Sequence, residues 1–161
     1  MTAAGEGAKA ALRGLDEGGV RALAARLAQM VDGRALIHLA GPVGAGKTVF
    51  AAQFLSELGV GEACPSPSYS LLLTYEARGL RLGHMDFFRL TDPGEWRSAG
   101  LADLAEDLDV CLIEWPSNAG GLPAPDLRVD ISPGGGPSER NVEVSGFGEW
   151  GEECCARLSS H

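Results

Sequence analysis

The octapeptide Gly41-Pro42-Val43-Gly44-Ala45-Gly46-Lys47-Thr48 decides the fold. It satisfies G-x-x-x-x-G-K-[ST], the pattern of a phosphate-binding loop set between a strand and a helix. The flanks agree with it. Ala35 to Ala40 reads as a short buried strand, and Lys47 to Leu58 as a helix closed by Gly59. Glycines at this spacing let the backbone curl with its N–H groups turned inward on phosphate oxygens. The helix that follows adds the partial positive charge of its N-terminus. In such a loop Lys47 reaches the β- and γ-phosphates, and the Thr48 hydroxyl is a ligand for Mg2+.

Upstream, Val20, Leu23, Ala24, Leu27 and Met30 recur at helical spacing, with Asp16 as N-cap and Asp32-Gly33 as the stop. Met1 to Gly14, rich in Ala and Gly, is expected to fray. Downstream, Cys64 to Ser68 is a loop by composition, with two prolines. Tyr69 to Tyr75 and Leu80 to Phe87 read as strands joined across Ala77-Arg78-Gly79. Thr91-Asp92-Pro93 opens a helical stretch, and Leu101 to Leu108 reads as a short helix. Asp109 to Ile113 is a near-continuous apolar run, as buried parallel strands show. Leu127 to Ile131 and Asn141 to Val144 alternate across Gly134-Gly135-Gly136-Pro137 and suggest an antiparallel hairpin at a sheet edge. Glu149 to Leu158 reads as a last helix. The expected fold is α/β: a P-loop NTPase with a mixed, mainly parallel central sheet, antiparallel edge hairpins and flanking helices. One domain over residues 1–161 fits the length.

Composition bounds the function. Hydrophobic residues make up 45% and charged residues 22%, the balance of a globular protein. No apolar run reaches the ~18–20 residues that span a bilayer, and Met1 to Gly14 lacks the apolar centre of a secretory signal. The cytoplasm is the expected compartment. The net charge of −9 argues against direct, tight binding to DNA or RNA, because the overall field repels a polyanion. Cys64, Cys111, Cys154 and Cys155 form no C-x-x-C pair, and His38, His84 and His161 are scattered, so no zinc-ligand spacing is present.

Two acids complete the nucleotide reading. Val110-Cys111-Leu112-Ile113-Glu114 is a hydrophobic strand ending in a carboxylate. In an open α/β sheet, ligands sit beyond the carboxyl ends of the strands, which sets Glu114 beside the loop and Mg2+. His84-Met85-Asp86 ends the Leu80 strand, where Asp86 suits a metal-bound or attacking water. His84 alone reads as a strand residue more than as a catalyst. Trp115 fits either the core or the rim of the site, and Trp96 and Trp150 fit helix packing. By pattern alone, Ser66-Pro67-Ser68-Tyr69-Ser70 is a polar turn.

Taken together, the loop, Ser66 to Leu71, His84-Met85-Asp86-Phe87-Phe88-Arg89-Leu90, Asp92-Pro93 and Ile113-Glu114-Trp115-Pro116 resemble the bacterial TsaE (YjeE) family, in the same order from about Asp16 to Val144. The resemblance implies a small cytoplasmic ATPase of tRNA threonylcarbamoyladenosine synthesis that works with the TsaB–TsaD complex and meets tRNA only through it. It implies Val43, Gly44, Ala45, Gly46, Lys47 and Thr48 as the ATP loop, Thr48 and Glu114 as the Mg2+ ligands, and Lys47, Asp86 and Glu114 as the catalytic set. It also brings Glu17, at the opening of the first helix, near the nucleotide, and makes Ser66 to Ser70 a switch-like element. The chain departs from the family pattern at Pro42, where an acid is usual, and at Val43, where Leu is. It departs again at Val49, often Thr, at Ser68 and Ser70, usually Thr, and at Phe88, usually Tyr.

Two other readings share the loop. A small-molecule kinase has the same P-loop and acid but normally adds an arginine-bearing lid, and no long lid insertion is evident. A GTP switch commonly carries N-K-x-D, and neither Asn118 nor Asn141 sits in that motif.

Overall fold

The computed structural model describes residues 7–61 and 71–160. Strands β1 (Ala8–Leu15), β2 (Ala35–Ala40), β3 (Leu72–Ala77), β4 (Leu80–Asp86), β5 (Val110–Glu114), β6 (Leu127–Pro133) and β7 (Arg140–Gly146) form one seven-stranded sheet in the order β1-β7-β6-β2-β5-β4-β3. The three central pairings, β6–β2, β2–β5 and β5–β4, are parallel. The three outer ones, β1–β7, β7–β6 and β4–β3, are antiparallel. The parallel character expected of the sheet is therefore confined to its centre, where the strands are buried on both faces.

One face carries α1 (Glu17–Gln29), α2 (Lys47–Glu57) and α5 (Gly148–Ser159). Val20, Leu23, Ala24 and Leu27 of α1, and Phe50, Phe54 and Leu55 of α2, meet Ile37, Leu39, Leu82, Val110 and Leu112 from the sheet. Asp16 caps α1 as the sequence suggests, accepting from Gly19 N at 2.7 Å. The other face has a smaller core of Met85, Phe87, Trp96, Leu101, Cys111 and Ile113, covered by the short helices α3 (Glu95–Ser98) and α4 (Leu101–Glu106). Side chains alternate along each strand, so Ile113 and Met85 face this second layer while Leu112 and Leu82 face the first.

Two expectations need correction. Residues 8–14 do not fray: they belong to β1, with Ala8 opposite Gly146 and Leu15 opposite Arg140. Their composition permits this, because Ala8, Ala10 and Leu12 alternate with Lys9, Ala11 and Arg13, and Ala10 is buried. The β6–β7 hairpin is consequently not the sheet edge. β1 covers β7, and α5 packs across both β1 and β7. The Trp150 indole of α5 donates to the Met30 carbonyl at 2.7 Å and ties that helix to the end of α1. The proposed switch, Ser66 to Ser70, lies outside the described residues, as does Cys64.

Burial pushes the Cys111 thiol up to about 12 and Cys154 to about 11, so neither is a reactive thiolate at neutral pH. No helix among the described residues is long and apolar enough to cross a membrane.

His38 on β2 is buried, with its Nε2 lacking a partner among the described residues. Burial, and secondarily the Arg128 guanidinium, lowers its pKa to about 4. The unfolded chain takes up this proton near the ordinary value of 6.5, the folded one only near 4. Stability is thus fully present above pH 6.5 and declines as pH falls toward 4, by up to on the order of 3 kcal/mol. In urea titrations at pH 7 and pH 4.5, wild type is expected to lose this increment and His38→Leu to retain it. An identical pH dependence of the two proteins would exclude His38 as its source.

Candidate nucleotide site

The carboxyl ends of β2, β4 and β5 meet at the loop of residues 41–48. Register places Leu39 opposite Glu114 and Asp86 opposite Glu114, so both acids reach the end of the sheet at one level. They lie on the same face as Leu112 and Leu82, the face on which α2 packs. Both are buried.

The loop closes the third side. Gly44 and Gly46 have φ of 80° and 112°, and a Cβ at either would meet nothing within 4 Å. The need for glycine there is conformational, since L side chains avoid this region. Lys47 opens α2 and is buried, although a loop cation is expected to be exposed. Its Nζ donates to the carbonyls of Gly41 and, at 3.0 Å, Pro42, and sits 4.1 Å from the Trp115 ring centroid. Burial lowers its pKa from the ordinary lysine value, while the Glu114 and then the Asp86 carboxylates oppose that shift. Thr48 Oγ1 donates to Glu114 Oε1 at 3.2 Å and lies 3.4 Å from Oε2. Asp86 Oδ1 accepts from Phe88 N at 2.9 Å.

These groups line a cleft of about 370 Å3 with Val43, Gly44, Ala45 and Gly46 on one wall and Phe88 and Trp115 on the other. Trp115 therefore stands at the rim, half-buried, and also packs against the second core. Its left-handed backbone, φ 57°, brings the ring against Phe88 at 5.1 Å and over Lys47. A larger cleft, about 490 Å3, lies across the sheet over Leu36, Cys111 and Ile113. It has no comparable meeting of hydroxyl, ammonium and carboxylates.

Of the residues expected at the site, Lys47, Thr48, Asp86 and Glu114 are brought together, with residues 43–46 as their cradle. Glu17 is set apart. It lines a smaller cleft of about 120 Å3 on the other side of the loop with Gly44 to Gly46, Ser138 and Arg140. Its Oε2 accepts from Arg21 Nε at 3.3 Å.

Two further residues join the site, Arg140, which the sequence reading passed over, and His84, which it read as a strand residue more than a catalyst. Arg140 Nε and Nη2 donate to the carbonyls of Ala45 and Gly44 at 3.1 and 3.2 Å. By holding those carbonyls outward it favours N–H groups turned inward. No local pattern marks it; only the arrival of β7 brings it to the loop. His84 Nε2 lies 2.6 Å from Glu114 Oε2 in a buried pair. The signal for it was the i, i+2 spacing to Asp86, which puts both on one face of β4.

The donor set suits Mg2+. Thr48 and Glu114 present hard oxygens that already converge on each other. Among the described residues there is no group of three or more His, Cys, Asp or Glu that could hold a metal ion by itself. Mg2+ is characteristically held by one or two carboxylates together with substrate phosphates, which is what this arrangement offers.

With that geometry in place, comparison with known proteins identifies the lineage. The family model described as threonylcarbamoyl adenosine biosynthesis protein TsaE matches residues 16–142. The chain belongs to the TsaE family. Proteins named tRNA threonylcarbamoyladenosine biosynthesis protein TsaE are similar to it. The one from Bacillus subtilis is 33% identical over 127 residues, 78% of each chain. The Streptomyces coelicolor relative is 33% identical over 143 residues, 81% of this chain and 92% of that one. The Haemophilus influenzae relative is 36% identical over 97 residues, 60% of this chain and 61% of that one. A crystal structure of Bacillus subtilis YdiB superposes with a TM-score of 0.77 at 27% identity, covering 97% of both chains. The TsaE match runs from the cap of α1 to the middle of β7. It contains every site residue above, while β1 and α5 flank it.

Proposed function

We propose that this TsaE-family chain binds Mg2+-ATP in the cleft at residues 43–48 and hydrolyses it in support of tRNA threonylcarbamoyladenosine formation by a TsaB–TsaD complex in the cytoplasm. The observation that carries the ATPase reading is the contact between Thr48 and Glu114 within reach of Lys47 and Asp86.

Each residue has a distinct task. The loop N–H groups and the α2 N-terminus hold the phosphates. Lys47 supplies a cation at the terminal phosphates, in place of the loop carbonyls that it now contacts. Thr48 and Glu114 hold Mg2+, which, when bound, withdraws charge from the phosphate oxygens. Asp86 orients the water that attacks the γ-phosphorus. The P–O bond to the β-phosphate breaks, giving ADP, phosphate and a proton. The buried setting strengthens each electrostatic contact.

Family membership and charge support this choice of partners. A chain of net charge −9 is poorly suited to hold tRNA, so the tRNA contacts fall to the transferase. The test is multiple-turnover formation of threonylcarbamoyladenosine from purified TsaB, TsaD, tRNA and the activated threonylcarbamoyl donor. Adding this protein with ATP is expected to raise product well beyond one per TsaD. Equal product with and without it would overturn the role, even if ATP binds.

A further inference from the structure

We propose that His84 is the positioning residue of the Glu114 carboxylate: its Nε2–H fixes Oε2, so that Oε1 stays turned toward Thr48 and Mg2+. This rests on the nucleotide reading above and deepens it.

The geometry is specific. His84 lies one pleat before Asp86 on β4, opposite Leu112, and its ring reaches diagonally to Glu114 on the neighbouring strand. Nε2 stands 2.6 Å from Oε2, while Thr48 Oγ1 stands 3.2 Å from Oε1. Thr48 Oγ1 also lies 3.4 Å from Oε2, so Oε2 is held chiefly by His84 while Oε1 has Thr48 alone. An ionised carboxylate only accepts, so the proton between the ring and Glu114 belongs to Nε2. Nδ1 is buried and has no hydrogen-bond partner among the described residues.

A space-filling role does not account for this. The equivalent position one pleat earlier is Leu82, fully buried in the first core. An apolar side chain at 84 would continue that row without an unpartnered buried nitrogen, a feature that native structures rarely keep without use. The ring's only polar contact given by the structure is to the acid. The terminal torsion of a glutamate is broad and roughly two-fold, so an unrestrained carboxylate rotates its oxygens past Thr48. A donor fixed by the sheet removes that freedom. Groups that orient metal-binding side chains in this way typically account for roughly 10–100-fold in metal affinity.

The experiment compares wild type, His84→Leu and His84→Gln, whose side-chain amide reaches the Nε2 position. ATP affinity is measured by calorimetry in EDTA and across a Mg2+ titration, with folding checked by circular dichroism. His84→Leu is expected to match wild type in EDTA and to need roughly 10–100-fold more Mg2+ for the same gain in affinity. His84→Gln is expected to restore the wild-type titration. If His84→Leu does not fold, His84→Asn, whose amide stops at the Nδ1 position, takes its place with the same expected loss. Independently, long-range proton–nitrogen spectra of wild type are expected to show a proton on Nε2. A bare Nε2, a Mg2+ titration unchanged in the Leu or Asn variant, or a Gln variant as impaired as Leu would each overturn the positioning role. A wild-type protein without Mg2+-dependent ATP affinity would instead overturn the nucleotide reading itself.

Discussion

Glu114→Gln is expected to match wild type in ATP affinity measured in EDTA, to lose most of the gain in affinity that Mg2+ brings, and to hydrolyse ATP on the order of a hundredfold more slowly or worse. The substitution keeps size and shape, so the cleft is undisturbed. What changes is charge and donor pattern. Wild-type Glu114 has His84 Nε2 at Oε2 and the Thr48 hydroxyl between its two oxygens, nearer Oε1. The amide has one oxygen and one NH2. His84 donates, so the amide oxygen turns to it, and the NH2 is left facing Thr48. The Thr48 hydroxyl can rotate and accept, so the fold tolerates the exchange, but an NH2 is no ligand for a cation. The negative charge that opposes the lowering of the Lys47 pKa is lost as well. Phosphate grip, which rests on loop N–H groups and Lys47, persists. Single-turnover hydrolysis beside calorimetry separates the two effects. Wild-type turnover in this variant would mean that Glu114 only closes β5.

Much of this was legible in the residues because local rules carried it. The loop and its flanks needed only spacing, and the acids at the ends of β4 and β5 followed from hydrophobic strands that stop at a carboxylate. The cap at Asp16 is a local signal too, and the structure has it. What escaped depended on pairing between distant segments. β1 has a weak alternation of small residues, and its low side-chain volume resembles a loose terminus until β7 is there to receive it. The same pairing moves the β6–β7 hairpin off the edge. Arg140 reaches the loop only because that hairpin runs beside it, across 95 positions of sequence. His84 was visible as a strand residue two before Asp86, but its partner is 30 positions away on the neighbouring strand. Glu17 stands at the helix opening, where it lines a cleft with Gly44 to Gly46 apart from the one that holds the acids and Thr48.

Lys47→Ala is expected to weaken ATP binding by about 10–150-fold or more while the fold persists. Lys47 is buried but is not held by the apolar core. Its ammonium rests on two loop carbonyls and the Trp115 ring, all around the cleft. Truncation removes a cation whose proton affinity is already lowered by burial. In this setting its attraction to phosphate is screened less than at a free surface. Losing the charge-assisted bonds costs roughly 1.5–3 kcal/mol or more, about 10–150-fold in affinity at 1.4 kcal/mol per decade. The Gly41 and Pro42 carbonyls lose a donor, but Gly41 is half-buried and Pro42 exposed, so water can replace it. A stability loss of about 1 kcal/mol, near 2–4 °C in Tm for a chain of this size, is the expected scale. Calorimetry with Mg2+-ATP and a melting curve on the same sample decide the matter together. Weak or absent heat from a protein that still melts cooperatively supports Lys47 as the phosphate cation. Unchanged affinity in a folded Lys47→Ala protein would leave the glycine loop as a turn, and the assignment of residues 43–48 to ATP would be wrong.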